Sequence, residues 1–184
     1  MFCTPTMTDN TSAAVTRLRP LKKDMPSIHW RSAALAGIAA GVIATLAQIL
    51  LWAVWSEPLP AILFRDARLT AAIVMGREVL PPAATFDGSI MLVATLLHFA
   101  LSIAYGLTLS VFISGLSAPV SLFAGAVFGL FLYAINMYGF TFVFPWFAAA
   151  RDWITAATHV VFGVVAAAVY KAWPLATSRS TKPG

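Results

Sequence analysis

Four strongly polar side chains lie inside long apolar stretches of the sequence, one in each stretch. They are Gln48, His98, Asn136 and His159, and Ser102 and Tyr105 share a helix face with His98 at spacings of four and seven residues. With a rise of about 1.5 Å per helical residue, all four lie roughly 9 to 15 Å inside the same end of their stretches. Polar side chains are costly in lipid and usually face the interior of a bundle. The spacing therefore predicts one polar layer inside a membrane bundle.

This polar layer suits four kinds of site. Interhelical hydrogen bonds would stabilise the bundle by about 1 kcal/mol or less each. A polar pocket or proton path would use His98 and His159, since histidine changes charge near neutral pH. Two histidines on facing helices could also bind a b-type haem. A metal would find only these two ligands, without an intramembrane carboxylate or thiolate. We expect no metal and no cofactor, and haem between His98 and His159 remains an alternative.

The elements that must position this layer are transmembrane helices. Residues 88–150 contain no Asp, Glu, Lys or Arg, and about 20 apolar residues suffice for one crossing. Ser114 to Ser117 supply a turn within this stretch. The chain of 184 residues is 60% hydrophobic and 10% charged, against about 25% charged in soluble domains. We predict an all-α polytopic membrane protein with four transmembrane helices, at about 33–55, 88–114, 118–144 and 153–173.

The distribution of positive charge predicts the orientation. The N-terminal segment carries five Lys or Arg and the C-terminal end three, against four in the two loops on the opposite side. This bias predicts an inner-membrane protein with both termini in the cytoplasm. We expect residues 1–32 to form a disordered basic tail and residues 174–184 a second cytoplasmic tail. Basic flanks attract anionic lipid, so the expected partner is the lipid bilayer and not nucleic acid.

The outer loop, residues 56–87, is far more apolar than a free loop. We predict a short interfacial helix within it, which lies on the outer membrane surface or caps the bundle. The charged residues of the outer loops would face lipid headgroups or pair with one another: Arg65, Asp66 and Arg68 in this loop, Arg151 and Asp152 in the other. The loop would then act as a solvated lid held by salt bridges, or as a gate over the polar layer.

An internal repeat is also indicated. Gly37 and Gly41 precede Gln48, which lies seven positions after Gly41, and Gly125 and Gly129 precede Asn136 at the same spacing. Each half then delivers a span with one histidine. We therefore predict two repeated helical hairpins in parallel orientation, with residues 67–87 as an insertion in the first copy.

Small residues four apart let helix backbones approach closely in a membrane. The glycines that fit this pattern are Gly37, Gly41, Gly125, Gly129 and Gly163. We expect them to pack the helices of one bundle together, and homodimerisation through one of these faces is the alternative.

Several short motifs together resemble a known group of sequences. They are Glu57-Pro58-Leu59-Pro60, Phe64-Arg65-Asp66-Ala67-Arg68, Val74-Met75-Gly76, Leu80-Pro81-Pro82, His98-Phe99 and Tyr105-Gly106. From about Trp30 to Trp173, the chain resembles small proteobacterial membrane proteins that are sometimes labelled as sodium:proline symporters. Such symporters are much longer, with many more spans and broken helices at a sodium site. The resemblance therefore implies a small multi-span membrane protein and assigns no transport residue.

The sequence contains no signature of a soluble enzyme. It has no phosphate-binding glycine loop with lysine, no paired-cysteine motif and no GxSxG, and Cys3 is its single cysteine. We predict a non-enzymatic structural or accessory membrane protein with a polar layer in the outer half of the bundle. The alternatives are a small transporter or channel, working as a homo-oligomer because four short helices enclose little space, and a b-type haem electron-transfer subunit.

Overall fold

The computed structural model describes residue 1 and residues 28–55, 58–82 and 84–179, with side chains up to residue 173. Within these ranges the regular structure is entirely helical. The α-helices are α1 (Trp30–Trp55), α2 (Ala61–Met75), α3 (Gly88–Ile113), α4 (Ala118–Ala134) and α5 (Trp153–Arg179). Most of the predicted N-terminal tail, residues 2–27, and the last five residues of the predicted C-terminal tail lie outside the described residues.

Four helical segments are long and apolar enough to cross a membrane. They are Trp30–Trp55, Gly88–Ile113, Ala118–Phe142 and Trp153–Trp173. The predicted all-α class with four membrane helices is therefore confirmed, and the chain is a multi-pass membrane protein. Two helix ends differ from the prediction, because α4 stops at Ala134, well before residue 144, and α5 continues past residue 173 to Arg179.

The four spanning helices pack in the order α3, α1, α5, α4. α1 packs against α5, and both contribute alanines to one core cluster, of which Ala33, Ala40 and Ala167 are completely buried. α3 packs against α1, and α4 packs against α5. α3 and α4 contact each other little, although one short turn joins them. Lys171 of α5 fastens that turn, donating to the carbonyl oxygens of Ser114 (3.2 Å) and Leu116 (2.7 Å).

Glycine backbones form the closest contacts within each helix pair. A Cβ added to Gly37 would collide with the carbonyl oxygen of Ser102, and one added to Gly41 would lie 3.1 Å from Nε2 of His98. In the other pair, a Cβ on Gly125 would collide with the carbonyl oxygen of Gly163, and one on Gly129 with that of His159. All five predicted packing glycines thus lie at contacts inside one bundle.

Gly106 was not predicted as a packing residue but makes a contact of the same kind. A Cβ there would lie 2.7 Å from the carbonyl oxygen of Ala33 and from Cα of Gly37. The sequence signal was present, because Gly106 lies four residues after Ser102, and both residues are small.

α2 caps one end of the bundle. Its Ala67 and Ala71 pack against Ile90 and Ala94 of α3. Ile62 contacts Trp52 of α1 and Ile154 of α5, and Leu69 contacts Met137 and Ala150. The indole nitrogen of Trp146 also donates to the carbonyl oxygen of Leu69 at 2.9 Å. Of the two predicted positions for this helix, the structure shows the cap.

The chain after α4 is irregular but still helical. A π-helical turn covers Ile135–Gly139, and 3-10 turns cover Phe140–Phe142 and Pro145–Ala150. A π-helical turn inserts one extra residue, and such turns are frequent at functional sites. Asn136, one of the four predicted polar-layer residues, lies in this turn.

The glycine contacts predict a specific loss of stability. Gly129→Ala should lower the free energy of unfolding by about 1–3 kcal/mol, because the new methyl group meets helix backbone that cannot move aside. Thermal unfolding of the purified protein in detergent measures the effect. Gly88→Ala is the matched control, since a Cβ at Gly88 has no heavy atom within 4 Å. Equal melting temperatures for the two variants would contradict this account of the packing.

Candidate binding site

A cavity of about 210 Å³ lies inside the bundle at the end that α2 caps. We call it the polar cavity. All six side chains predicted to form the polar layer contribute to its wall: Gln48, His98, Ser102, Tyr105, Asn136 and His159. They come from α1, α3, the π-helical turn and α5. The fold therefore brings the six predicted residues together around one space.

Asn136 connects α3 to α5 through two hydrogen bonds. The hydroxyl of Tyr105 donates to Oδ1 of Asn136 at 2.9 Å. Nδ2 of Asn136 lies 3.2 Å from Nε2 of His159, and Nδ1 of His159 lies 2.7 Å from the carbonyl oxygen of Thr155. A carbonyl can only accept, so Nδ1 carries the proton and Nε2 accepts from the amide. In this series of hydrogen bonds each donor meets an acceptor.

His98 makes weaker contacts on the other side of the polar cavity. Its Nε2 lies 3.3 Å from the carbonyl oxygen of Gly41 and 3.3 Å from Oγ1 of Thr45. Nε2 must donate to the carbonyl, which leaves Nδ1 as an acceptor in the neutral ring. Within the described residues, Nδ1 of His98 has no protein partner.

Gln48 differs from the other members of the layer. Its side-chain amide lines the polar cavity but makes no hydrogen bond within the described part of the chain. Gln48 is half-buried, and its amide offers two donors and one acceptor oxygen to whatever occupies the cavity. Hydrogen bonding between helices therefore explains why a polar residue occupies position 136. It does not explain the polar residue at position 48.

A larger space of about 500 Å³ adjoins the polar cavity and extends between α1 and α3 beneath α2. We call it the lateral crevice. Its side walls carry Leu46 of α1 and Thr95 of α3, both exposed on the flank of the bundle. The polar side chains that line both spaces are Thr45, Gln48, Thr70, His98 and His159. Thr45 and Thr70 were not predicted, although Thr45 lies three residues before Gln48 and so shares its helix face.

The predicted pairing between the charges of the two outer loops is wrong for the described residues. Arg65 pairs instead with its neighbour Asp66 at 2.8 Å. Arg68 turns inwards and is only 9% exposed. It donates to the carbonyl oxygens of Val79 (3.2 Å) and Thr85 (3.1 Å). Nη1 and Nη2 thus satisfy backbone carbonyls that burial would otherwise leave unpaired, so Arg68 holds the following loop onto α2, while its Nε has no partner among the described residues.

The two charges before α5 satisfy nearby backbone groups in the same way. Arg151 donates to the carbonyl oxygen of Met137 and the hydroxyl of Thr141, both at 2.6 Å. A carboxylate oxygen of Asp152 accepts from the backbone nitrogen of Thr155 at 2.7 Å and caps α5. Helix ends carry unpaired backbone groups. Arg151 and Asp152 bond to these nearby groups rather than to the charged residues of the loop that contains α2.

The pKa values of two carboxyl groups outside the spanning segments are shifted in opposite directions. Burial of the Asp66 side chain on α2 raises its pKa, and Arg65 opposes this effect only in part. Hydrogen bonds from Ser89 and from the backbone nitrogen of Ile90 lower the pKa of Asp87, which caps α3. Asp66 lines the lateral crevice, so the crevice contains a carboxyl group that is costly to ionise.

The surroundings of the two histidines bear on the haem alternative. Both ring nitrogens of His159 have partners, so an iron ligand would have to displace Asn136 or the Thr155 carbonyl. Of the described residues that line the two spaces, none is Lys or Arg, the side chains that pair most strongly with carboxylates such as haem propionates. The described residues also contain no cluster of three or more His, Cys, Asp or Glu.

Comparison of the chain with protein-family models, with curated proteins and with solved structures gives no match. The assignment of the site therefore depends on its own geometry.

The raised pKa of Asp66 predicts that Asp66→Asn increases the stability of the protein in a pH-dependent way. A raised folded-state pKa means that protonation favours the fold, a contribution present in full below the unfolded pKa and lost as pH rises through the folded value. The uncharged amide should therefore match or exceed the wild-type melting temperature at pH 7, and the difference should disappear in acid. Asp87→Ala, measured in parallel, should show the opposite sign at pH 7, since that carboxylate stabilises the fold when ionised. A lower melting temperature for Asp66→Asn at pH 7 would contradict the assignment.

Proposed function

We propose that this chain is a non-enzymatic accessory protein of the inner membrane that binds a small molecule in its polar cavity. The observation that carries the proposal is the side chain of Gln48, which lines the cavity without a protein hydrogen-bond partner among the described residues. Ligand pockets are largely apolar and contain a few convergent polar groups, and the polar cavity with its crevice fits that description. The described lining of the polar cavity itself contains no carboxylate, cysteine or lysine, which supports binding rather than hydrolytic chemistry.

The alternative of a small transporter or channel is less well supported. A transporter needs a second opening at the end opposite α2. In this structure that part of the bundle is filled by a packed cluster that includes Ala33, Ala36, Leu109 and Ile113, each at most 2% exposed. Opening a path would separate helices whose glycine and alanine backbones are in contact. Binding requires no such change.

We further propose that the two helix pairs are copies of one hairpin. Gly37 and Gly41 contact the Ser102–His98 segment of α3, and Gly125 and Gly129 contact the Gly163–His159 segment of α5. Each glycine pair therefore packs beside a histidine that lines the polar cavity. No described helix of the second half corresponds to α2, Ala61–Met75; the predicted insertion, residues 67–87, covers only the later part of that helix.

The proposed orientation places both termini in the cytoplasm, with α2 on the outer side. The charge bias supports it, with eight Lys or Arg at the terminal side and four in the opposite loops. A green fluorescent protein fused after Gly184 should fluoresce, and alkaline phosphatase fused at the same place should be inactive. Alkaline phosphatase inserted after Pro82 should be active. The reverse pattern would overturn the orientation but leave the binding proposal intact.

Replacement of Gln48 distinguishes a binding pocket from interhelical hydrogen bonding. Gln48→Leu should leave the melting temperature at or above that of the wild type, because residues kept for binding often cost stability. Asn136→Leu is the matched comparison and should lower stability by about 1–3 kcal/mol, since Tyr105 and His159 each lose a partner. Thermal unfolding in lipid nanodiscs measures both. A loss for Gln48→Leu as large as that for Asn136→Leu would show that the layer is structural.

A further inference from the structure

Two buried polar atoms in the wall of the lateral crevice have no protein partner. They are Nε1 of Trp52, whose residue is 2% exposed, and Oγ1 of Thr155, whose residue is 4% exposed. Both residues line the lateral crevice. Trp52 lies four residues after Gln48 on the same face of α1, so a third unpaired group, the Gln48 amide, lies beside them.

These groups define the chemistry of a complementary ligand. The indole N–H can only donate, and the amide and the hydroxyl can each donate as well. A ligand that pairs with them therefore presents acceptor oxygens. Neither space is lined by Lys or Arg, and Asp66 lies in the crevice wall, so an anionic head such as phosphate would find no cationic partner. The acceptor oxygens must belong to an uncharged group such as a carbonyl.

The position of the crevice defines how the ligand arrives. It opens on the flank of the bundle between α1 and α3, where Leu46 is 61% exposed. In a spanning bundle this flank faces lipid, so a ligand that enters here is dissolved in the membrane and carries an apolar tail. The wall of the crevice also carries Phe99 and Phe147, which suit a flat ring.

We propose that the lateral crevice binds a membrane-dissolved isoprenoid quinone. The carbonyl oxygens of its ring accept hydrogen bonds from Trp52, Gln48 and Thr155, and its tail leaves between α1 and α3. The crevice volume of about 500 Å³ lies in the range of small-molecule sites, roughly 300–1,000 Å³. The proposal concerns binding alone and includes no redox step. It depends on the proposed binding function, whose ligand class it names.

Decylubiquinone is the probe, added to the full-length protein in phosphatidylcholine nanodiscs. A ligand that binds only the folded state raises the melting temperature in a saturable way, and we expect this result. Decylbenzene, which has the tail and a ring but no carbonyl groups, should give no saturable rise. Equal effects of the two compounds, or no rise with decylubiquinone, would overturn the proposal.

Matched variants locate the site. Trp52→Phe removes the unpaired N–H and keeps a ring, and it should weaken apparent affinity by about tenfold, the equivalent of about 1.4 kcal/mol. Trp30→Phe, at the exposed far end of α1, should leave the affinity unchanged. Thr95→Trp should block the crevice and abolish the rise, whereas Leu92→Trp, one turn away on the exposed lipid face, should not. Equal affinity for Trp52→Phe and Trp30→Phe would overturn the assignment of this site.

The two proposals fail separately. If Gln48→Leu is destabilising and the quinone does not bind, the binding function itself is wrong. If Gln48→Leu keeps full stability and the quinone still does not bind, only the ligand class is wrong.

Discussion

Close contact between helix backbones at glycine positions determines how the rest of the bundle is arranged. In a membrane no hydrophobic force drives helices together, so small residues that permit tight packing decide which helices pair. Gly37 and Gly41 bring α1 against α3, and Gly125, Gly129 and Gly163 bring α4 against α5. Each contact lies beside a histidine of the polar cavity. A side chain at Gly41 would press directly on His98, so the same contact that holds the pair together also positions the site.

The two helix pairs meet unevenly, and this unevenness produces the cavity. α1 and α5 pack along buried alanines, whereas α3 and α4 contact each other little. Between them the hydrogen bond from Tyr105 to Asn136 spans the gap. α2 covers the end of the opening, and Arg68 and Trp146 attach it to the neighbouring segments. The site is thus closed at one end by small-residue packing and at the other by a helix with no counterpart in the second half.

The sequence predicted the spans and the polar layer because both follow from the cost of placing polar groups in lipid. A long run without charge must cross the membrane, and Gln48, His98, Asn136 and His159 at similar depth must face the interior. The role of α2 was only partly predictable. Its apolar residues do not fall on one face, since Ile62, Ala67, Leu69 and Ala71 meet three different helices and the turn after α4.

The interior position of Arg68 could not be predicted, because its partners are backbone carbonyls that exist only once the loop has folded. The same reason explains Arg151 and Asp152, which satisfy helix ends rather than opposite charges. The π-helical turn at Ile135–Gly139 also left no signal in the apolar pattern. Features that depend on side-chain type were predictable from the sequence. Features that depend on the geometry of the folded backbone were not.

The central claim is that the polar cavity is open to small molecules while the opposite end of the bundle is sealed. Maleimide labelling tests it directly in a Cys3→Ser background, which removes the only native cysteine. The account predicts that Gln48→Cys reacts with a small membrane-permeant maleimide and that Ala40→Cys, on the same helix and fully buried, does not. Failure of both positions to react, in protein that retains its melting temperature, would contradict it.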